Sequence, residues 1–206
     1  MLYFLLRFTF VPLIKKTFRT KIEGKHNLPK SPAILAANHT DAADPAFVSM
    51  ITRRRIYFLA KHDLLDPHVK TRNLLRFIKT VRVEKGKGKS QEAIDKAAHL
   101  LKNKRCYFAI FPEGTIEGGE KILKGHTGVA RISLQAEVPI VPIAIKGIYG
   151  AWKNQSYLPD KLKKVTIRIG NPLYFKEYYG QQNNRKITRK VTDRVMEEIK
   201  KLYKEE

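Results

Sequence analysis

Ala33-Ile34-Leu35-Ala36-Ala37-Asn38-His39-Thr40-Asp41-Ala42-Ala43-Asp44 begins as an unbroken apolar run and ends as a polar turn. A short apolar run without the alternation of a half-wet strand reads as a strand covered on both faces. A second segment repeats the pattern, because Cys106-Tyr107-Phe108-Ala109-Ile110-Phe111 runs directly into Pro112-Glu113-Gly114-Thr115. Laid parallel in one sheet, two such strands bring both polar turns to the same edge. The edge beyond the carboxyl ends of the strands is where open α/β sheets hold their sites.

Working outward, short apolar runs alternate with helix-like segments from Ala33 onward, the pattern of βαβ units. Strands are expected at Lys21–Glu23, Ala33–Asn38, Ile56–Ala60, Thr80–Val83, Tyr107–Phe111, Ile140–Lys146 and Val165–Ile169. A helix is expected over Gln91–Lys102, with Ser90 as N-cap and Ile94, Ala97, Ala98 and Leu101 on one face. Two more are expected over His126–Ala136 and Ile187–Tyr203. No repeat or dividing linker interrupts the chain. The expectation is therefore one α/β domain over residues 21–206, a largely parallel mixed sheet of about seven strands flanked by helices.

A chain of 206 residues that is 43% hydrophobic has enough material for one buried core. Cys106 is the lone cysteine, which excludes an internal disulfide or a Cys metal cluster; it reads as core filler in a reducing compartment. The 41 Lys and Arg against 19 Asp and Glu give a net charge of +22, which calls for an anionic partner. The excess is spread along the chain rather than gathered in a tail. No zinc finger, RNP aromatic signature or helix-turn-helix accompanies it, so nucleic acid is not the expected partner. A noncatalytic membrane-surface module would also explain the charge, while leaving both polar turns idle.

Residues 1–20 are expected to form a membrane-associating segment. Met1–Ile14 is strongly apolar and aromatic, is interrupted by Arg7, and is followed by Lys15, Lys16, Arg19 and Lys21. It is short of the roughly 18–20 apolar residues of a spanning helix. It also lacks the charge order and cleavage site of a signal peptide. An amphipathic helix lying in the membrane plane, its basic flank on anionic headgroups, is the expectation. A helix packed on the domain's own core is the alternative. Lys85-Gly86-Lys87-Gly88-Lys89-Ser90 lacks the spacing of a phosphate loop and reads as a mobile basic loop near an anionic surface. His62 and Asp66 stand at helical spacing and read as surface.

A His and an Asp five residues apart arise by composition about 0.2 times in such a chain, so spacing alone is weak. What strengthens His39 and Asp44 is position, on a turn that can fold the carboxylate back onto the imidazole as base and orienter. The alternative has Asp44 capping a helix that starts at Pro45 while His39 bonds to backbone. No serine or cysteine stands out as a nucleophile, so the proton would come from the substrate, for instance an alcohol. His39, Asp41 and Asp44 could chelate a metal, but no second ligand cluster supports one, and no metal or other cofactor is expected. In Phe111–Thr115, Pro112 stops the strand ladder, Glu113 offers a carboxylate to substrate hydroxyls and Gly114 is free to take positive φ. An ordinary strand-ending turn would look the same. The prolines of Val138-Pro139-Ile140-Val141-Pro142 fit a pocket wall or plain strand punctuation.

These motifs together resemble the glycerolipid acyltransferases. Asn38–Asp44 looks like the family's first motif (His, four residues, Asp), Phe111–Thr115 like its Phe-Pro-Glu-Gly-Thr motif, Arg82 like its second-motif arginine and Val138–Pro142 like its fourth motif. The resemblance is strongest to the bacterial PlsC-type 1-acylglycerol-3-phosphate acyltransferases and spans roughly Ala33 to Lys146. It implies a phospholipid-biosynthetic enzyme on the cytoplasmic face of the membrane, with lysophosphatidic acid as acceptor and acyl-CoA or acyl-carrier protein as donor. It implies His39 as the base, Asp44 as its support, and direct attack of the acceptor hydroxyl on the thioester with no acyl-enzyme. Glu113, Gly114 and Thr115 would shape acceptor binding, while Arg82, Lys124 and more weakly Lys61 would face its phosphate. The family usually carries an arginine after Gly-Thr; this chain has Ile116, which removes a fork matched to phosphate and leaves Lys121, Lys124 or another cation to substitute.

Overall fold

A computed structural model describes residues 15–30, 32–61, 80–83, 89–150 and 164–205. Met1–Ile14, His62, Asp66 and the Lys85–Gly88 stretch of the basic loop lie outside the described residues.

The strands are β1 (Lys21–Glu23), β2 (Ala33–Ala37), β3 (Ile56–Lys61), β4 (Thr80–Val83), β5 (Tyr107–Ile110), β6 (Ile140–Lys146) and β7 (Thr166–Ile169), in the spatial order β1-β7-β6-β2-β5-β3-β4. Pairing from β6 through β2, β5 and β3 to β4 is parallel; β7 runs antiparallel to β6, and β1 is parallel to β7, so the sheet is mixed. β2 is central. Its Ala36 faces Ile110 on one side and Pro142 on the other, which sets the ends of β2, β5 and β6 at one edge.

Both faces of β2 are buried, and that is why its sequence does not alternate. Ile34 and Ala36 join Phe108, Ile110, Leu101, Ile132 and Val195 in one core layer. Ala33, Leu35 and Ala37 join Phe47, Val48, Ile143, Ile145 and Ile167 in the other. The first layer is roofed by helices α2 (Lys89–Asn103), α3 (Gly128–Ala136) and α4 (Arg185–Lys204), the second in part by the short helix α1 (Asp44–Ser49). Cys106 is buried in the first layer, where burial pushes its thiol up.

Helix starts depart from expectation for local reasons. α2 opens at Lys89, so Ser90 lies inside the helix rather than capping it. α3 opens at Gly128 and not His126, because the His126 amide donates to the Pro112 carbonyl (2.7 Å), which holds that residue in the preceding loop. α4 opens at Arg185 because Asn184 caps it, its side-chain oxygen accepting from the amides of Lys186 (3.1 Å) and Ile187 (3.3 Å).

Just after the undescribed N-terminal stretch, Phe18 is 2% exposed and meets Phe47 edge to face, with centroids 5.4 Å apart. The Val165 amide donates to the Phe18 carbonyl (3.1 Å), and the Lys21 amide donates to the Val165 carbonyl (2.9 Å). The chain is therefore part of the core by residue 18. Phe18→Ala is expected to lower unfolding free energy by about 3–5 kcal/mol through the cavity it leaves, measured by equilibrium urea unfolding; a loss below about 1 kcal/mol would place Phe18 outside the cooperative core.

Candidate active site

The polar turn begins with a clamp. Asn38 is fully buried, and its side chain donates to the Ile145 carbonyl (2.9 Å) and accepts from the Ile145 amide (2.7 Å). This extends the β2–β6 pairing by a side chain and fixes where the next residue leaves the sheet. That residue is His39, whose ring stacks on Phe111 with centroids 4.2 Å apart and planes 20° apart.

Asp44 lies wholly inside, and its Oδ2 lies 2.9 Å from His39 Nδ1. The same oxygen accepts the amides of Thr40 (2.6 Å) and Asp41 (2.9 Å). The carboxylate therefore folds back over its own turn. The alternative reading, Asp44 as the cap of a helix starting at Pro45, does not hold: Ala43 is the N-cap of α1, Asp44 the first helical residue and Pro45 the second. A carboxylate at Nδ1 favours the tautomer with its proton there, which leaves the Nε2 lone pair as the basic one. The imidazole is 19% exposed, so it is both held and reachable.

Glu113 is turned inward. One carboxylate oxygen accepts the His39 amide (2.9 Å), the other the Leu123 amide (2.6 Å), and the residue is 4% exposed. That does not fit the expected role of greeting substrate hydroxyls. Burial raises its carboxyl pKa above the usual value, opposed by the Leu123 and His39 amides. Gly114 takes φ 67°, and a Cβ there would lie 3.1 Å from the His126 ring, so the turn needs glycine for conformation and for room. The Thr115 hydroxyl accepts the Glu117 amide (3.2 Å) and shapes the following bend.

The remaining expected residues are spread along the same sheet edge. Lys124 is exposed, next to the Leu123 amide that Glu113 holds. Lys61 ends β3, and Arg82 sits opposite Ala60 near the end of β4, two and three strands away from β2. At about 4.8 Å per strand, their backbones stand roughly 10 and 14 Å from that of β2. Asp41 Oδ1 accepts the Ala43 amide, and among the described residues no group of three His, Cys, Asp or Glu side chains is arranged to hold a metal.

Two neighbours were not foreseen. His126, exposed, lays its ring against Gly114. Tyr203, near the end of α4, has its hydroxyl pKa raised mainly by burial, with the charges of Glu120, Asp44 and Glu113 adding to it, and Lys146 extends over its ring at 5.8 Å. Only the Gly-His-Thr-Gly stretch leading into α3 hinted at the first.

A family model described as acyltransferase matches residues 19–146. A 1-acyl-sn-glycerol-3-phosphate acyltransferase of Limnanthes alba is 24% identical over 150 residues, 72% of this chain and 52% of that protein. A probable 1-acyl-sn-glycerol-3-phosphate acyltransferase of Mycoplasma pneumoniae is 23% identical over 191 residues, 86% of this chain and 71% of that protein. The crystal structure of PlsC, the 1-acyl-sn-glycerophosphate (LPA) acyltransferase of Thermotoga maritima, superposes with a TM-score of 0.66 at 25% identity, over 92% of this chain and 79% of that one. The chain spans about half the length of the Limnanthes relative.

The raised Glu113 carboxyl pKa has a consequence for stability. A folded pKa above the unfolded value of about 4.3 means the folded state holds that proton more tightly. Relative to Glu113→Gln, the unmodified protein should therefore lose stability as pH rises from below about 4.3 through the folded pKa, and then level off. Urea unfolding of both proteins across this range checks it; a difference that grows with pH would reverse the sign.

Proposed function

Because this chain belongs to the acyltransferase family, we propose that it transfers a fatty acyl group from acyl-CoA or acyl-carrier protein to the free hydroxyl of lysophosphatidic acid, giving phosphatidic acid. The observation that carries this is the 2.9 Å contact between His39 Nδ1 and the buried Asp44, beside the Phe111–Thr115 turn. His39 Nε2 takes the acceptor hydroxyl proton as the oxygen attacks the thioester carbonyl. The carbon–sulfur bond then breaks, and the thiolate leaves with the proton returned by the imidazolium. Asp44 supports the positive ring between these steps. No acyl-enzyme intervenes.

Gly114, Thr115 and Lys124 stand at the acceptor side, and Arg82 and Lys61 occupy positions near the ends of β4 and β3, farther along the edge. The names of the matching proteins support the acceptor. With Ile116 in place of a phosphate-binding fork, another lysophospholipid or glycerol 3-phosphate is the competing acceptor.

The same edge supports approach to an anionic membrane from the cytoplasmic face, where the leaflet is negative. Ile116 is 42% and Tyr149 47% exposed; the Gly119 amide donates to the Ile116 carbonyl (3.2 Å), and the Tyr149 ring lies 3.0 Å from where a Gly119 Cβ would be. Lys121, Lys124, Glu117 and Glu120, on the loop that carries Ile116, are exposed, as is Lys146, three residues before Tyr149. Among the described residues no helix is long and apolar enough to cross a membrane.

Thiol release from acyl-CoA and acyl-carrier protein, assayed against lysophosphatidic acid, other lysolipids and glycerol 3-phosphate, tests the reaction and ranks acceptors. His39→Ala should lower the rate by at least roughly 10²-fold with the fold intact; full activity in that variant ends the mechanism. In vesicle sedimentation, removal of residues 1–14 and the pair Ile116→Ser with Tyr149→Ser should each weaken binding to anionic vesicles, and added salt should weaken what remains. Unchanged binding in both variants would remove the membrane part of the proposal.

A further inference from the structure

The Phe111–Thr115 turn touches His39 twice. Phe111 lies flat beneath the imidazole, and two residues on, Glu113 accepts the His39 backbone amide. The second oxygen of Glu113 holds the Leu123 amide, and the neighbouring Pro112 carbonyl accepts the His126 amide, so the loop leading into α3 is pinned to the same turn. Three chain segments, the exits of β2 and β5 and the entry to α3, thus converge on one carboxylate that is nearly out of reach of solvent.

We propose that Glu113 is a positioning residue that aims the His39 ring through its backbone amide, and that it makes no contact with the acceptor. Asp44 fixes the ring's rotation from the Nδ1 side, while Glu113 and Phe111 fix where the ring starts and which plane it occupies. A carboxylate suits the task because both its partners are N–H donors. Glutamine would match one donor and set its own NH2 against the other, in a place where an unmatched polar group is costly.

The kinetic arm of the test rests on the acyl-transfer reading above; the spectroscopic arm does not. In Glu113→Gln, kcat should fall roughly 10- to 100-fold, the scale of a small misplacement of a reacting group, with KM for acceptor and donor each within about twofold. In 15N-histidine-labelled protein, the His39 ring should show one tautomer in the unmodified chain and shifted or mixed ring signals in Glu113→Gln. A rise in acceptor KM with kcat held and the ring signals unmoved would make Glu113 an acceptor ligand and overturn the proposal. If the unmodified protein transfers no acyl group, the functional reading fails, and the ring signals alone decide whether the carboxylate aims the imidazole. Should Glu113→Gln not fold, Glu113→Asp, which keeps the charge but draws the carboxylate back from the His39 amide, decides in its place: shifted or mixed His39 ring signals support the positioning role, and unmoved ones overturn it.

Discussion

The parallel register of β2 against β5 is the constraint on which the site depends. With Ala36 opposite Ile110, the residues that follow each strand emerge side by side, and His39 lies within one hydrogen bond of Glu113 although 74 residues separate them. A slip of one residue would send Ile34 and Ala36 to the opposite layer and turn every following side chain over. The apolar packing on both faces of β2 therefore does more than stabilise the sheet. It sets the spacing between a candidate base and the turn that supports it.

What the sequence made legible follows from how each feature is encoded. Central strands were readable because burial on both faces leaves a continuous apolar run, and the two turns because polar residues stop those runs abruptly. The His39–Asp44 contact was readable as spacing along one loop, though the same spacing suggested a helix cap that Asp44 does not provide. The contacts of Glu113 were not readable, since its partners are the backbone amides of His39 and Leu123, and an amide has no residue-type signature. His126 escaped notice because it packs on Gly114, a residue with no side chain to pair with, and Tyr203 because the last helix reaches the site only through tertiary packing. Phe18 fell within the expected membrane-associating segment, residues 1–20, whereas its edge-to-face contact with Phe47 places it in the core.

Two carboxylates, Asp44 at 0% and Glu113 at 4% exposure, lie inside one small region. Burying either would be costly without strong hydrogen bonds. The donors that offset the cost are Thr40, Asp41, His39 and Leu123 amides and the His39 ring, rather than lysine or arginine side chains. The choice matters for chemistry. A buried cation on Asp44 would compete with the ring for the carboxylate, whereas the Thr40 and Asp41 amides hold Oδ2 in place 2.9 Å from His39 Nδ1.

The cations are displaced to the rim. Lys121 and Lys124 are exposed around the loop that Glu113 pins, outside the amide-lined interior. Under the proposed reaction this separation of charge has a direction: an anionic headgroup gains by resting among the rim lysines, while its neutral hydroxyl is the part able to approach a base backed by buried negative charge. An acceptor entering phosphate first would meet Asp44 and Glu113 as like charges in a medium that screens them poorly. The same arrangement makes Ile116 intelligible. A guanidinium at that position would add one more phosphate donor to a rim already basic, whereas the exposed Ile116 side chain, like that of Tyr149, gives the rim apolar surface.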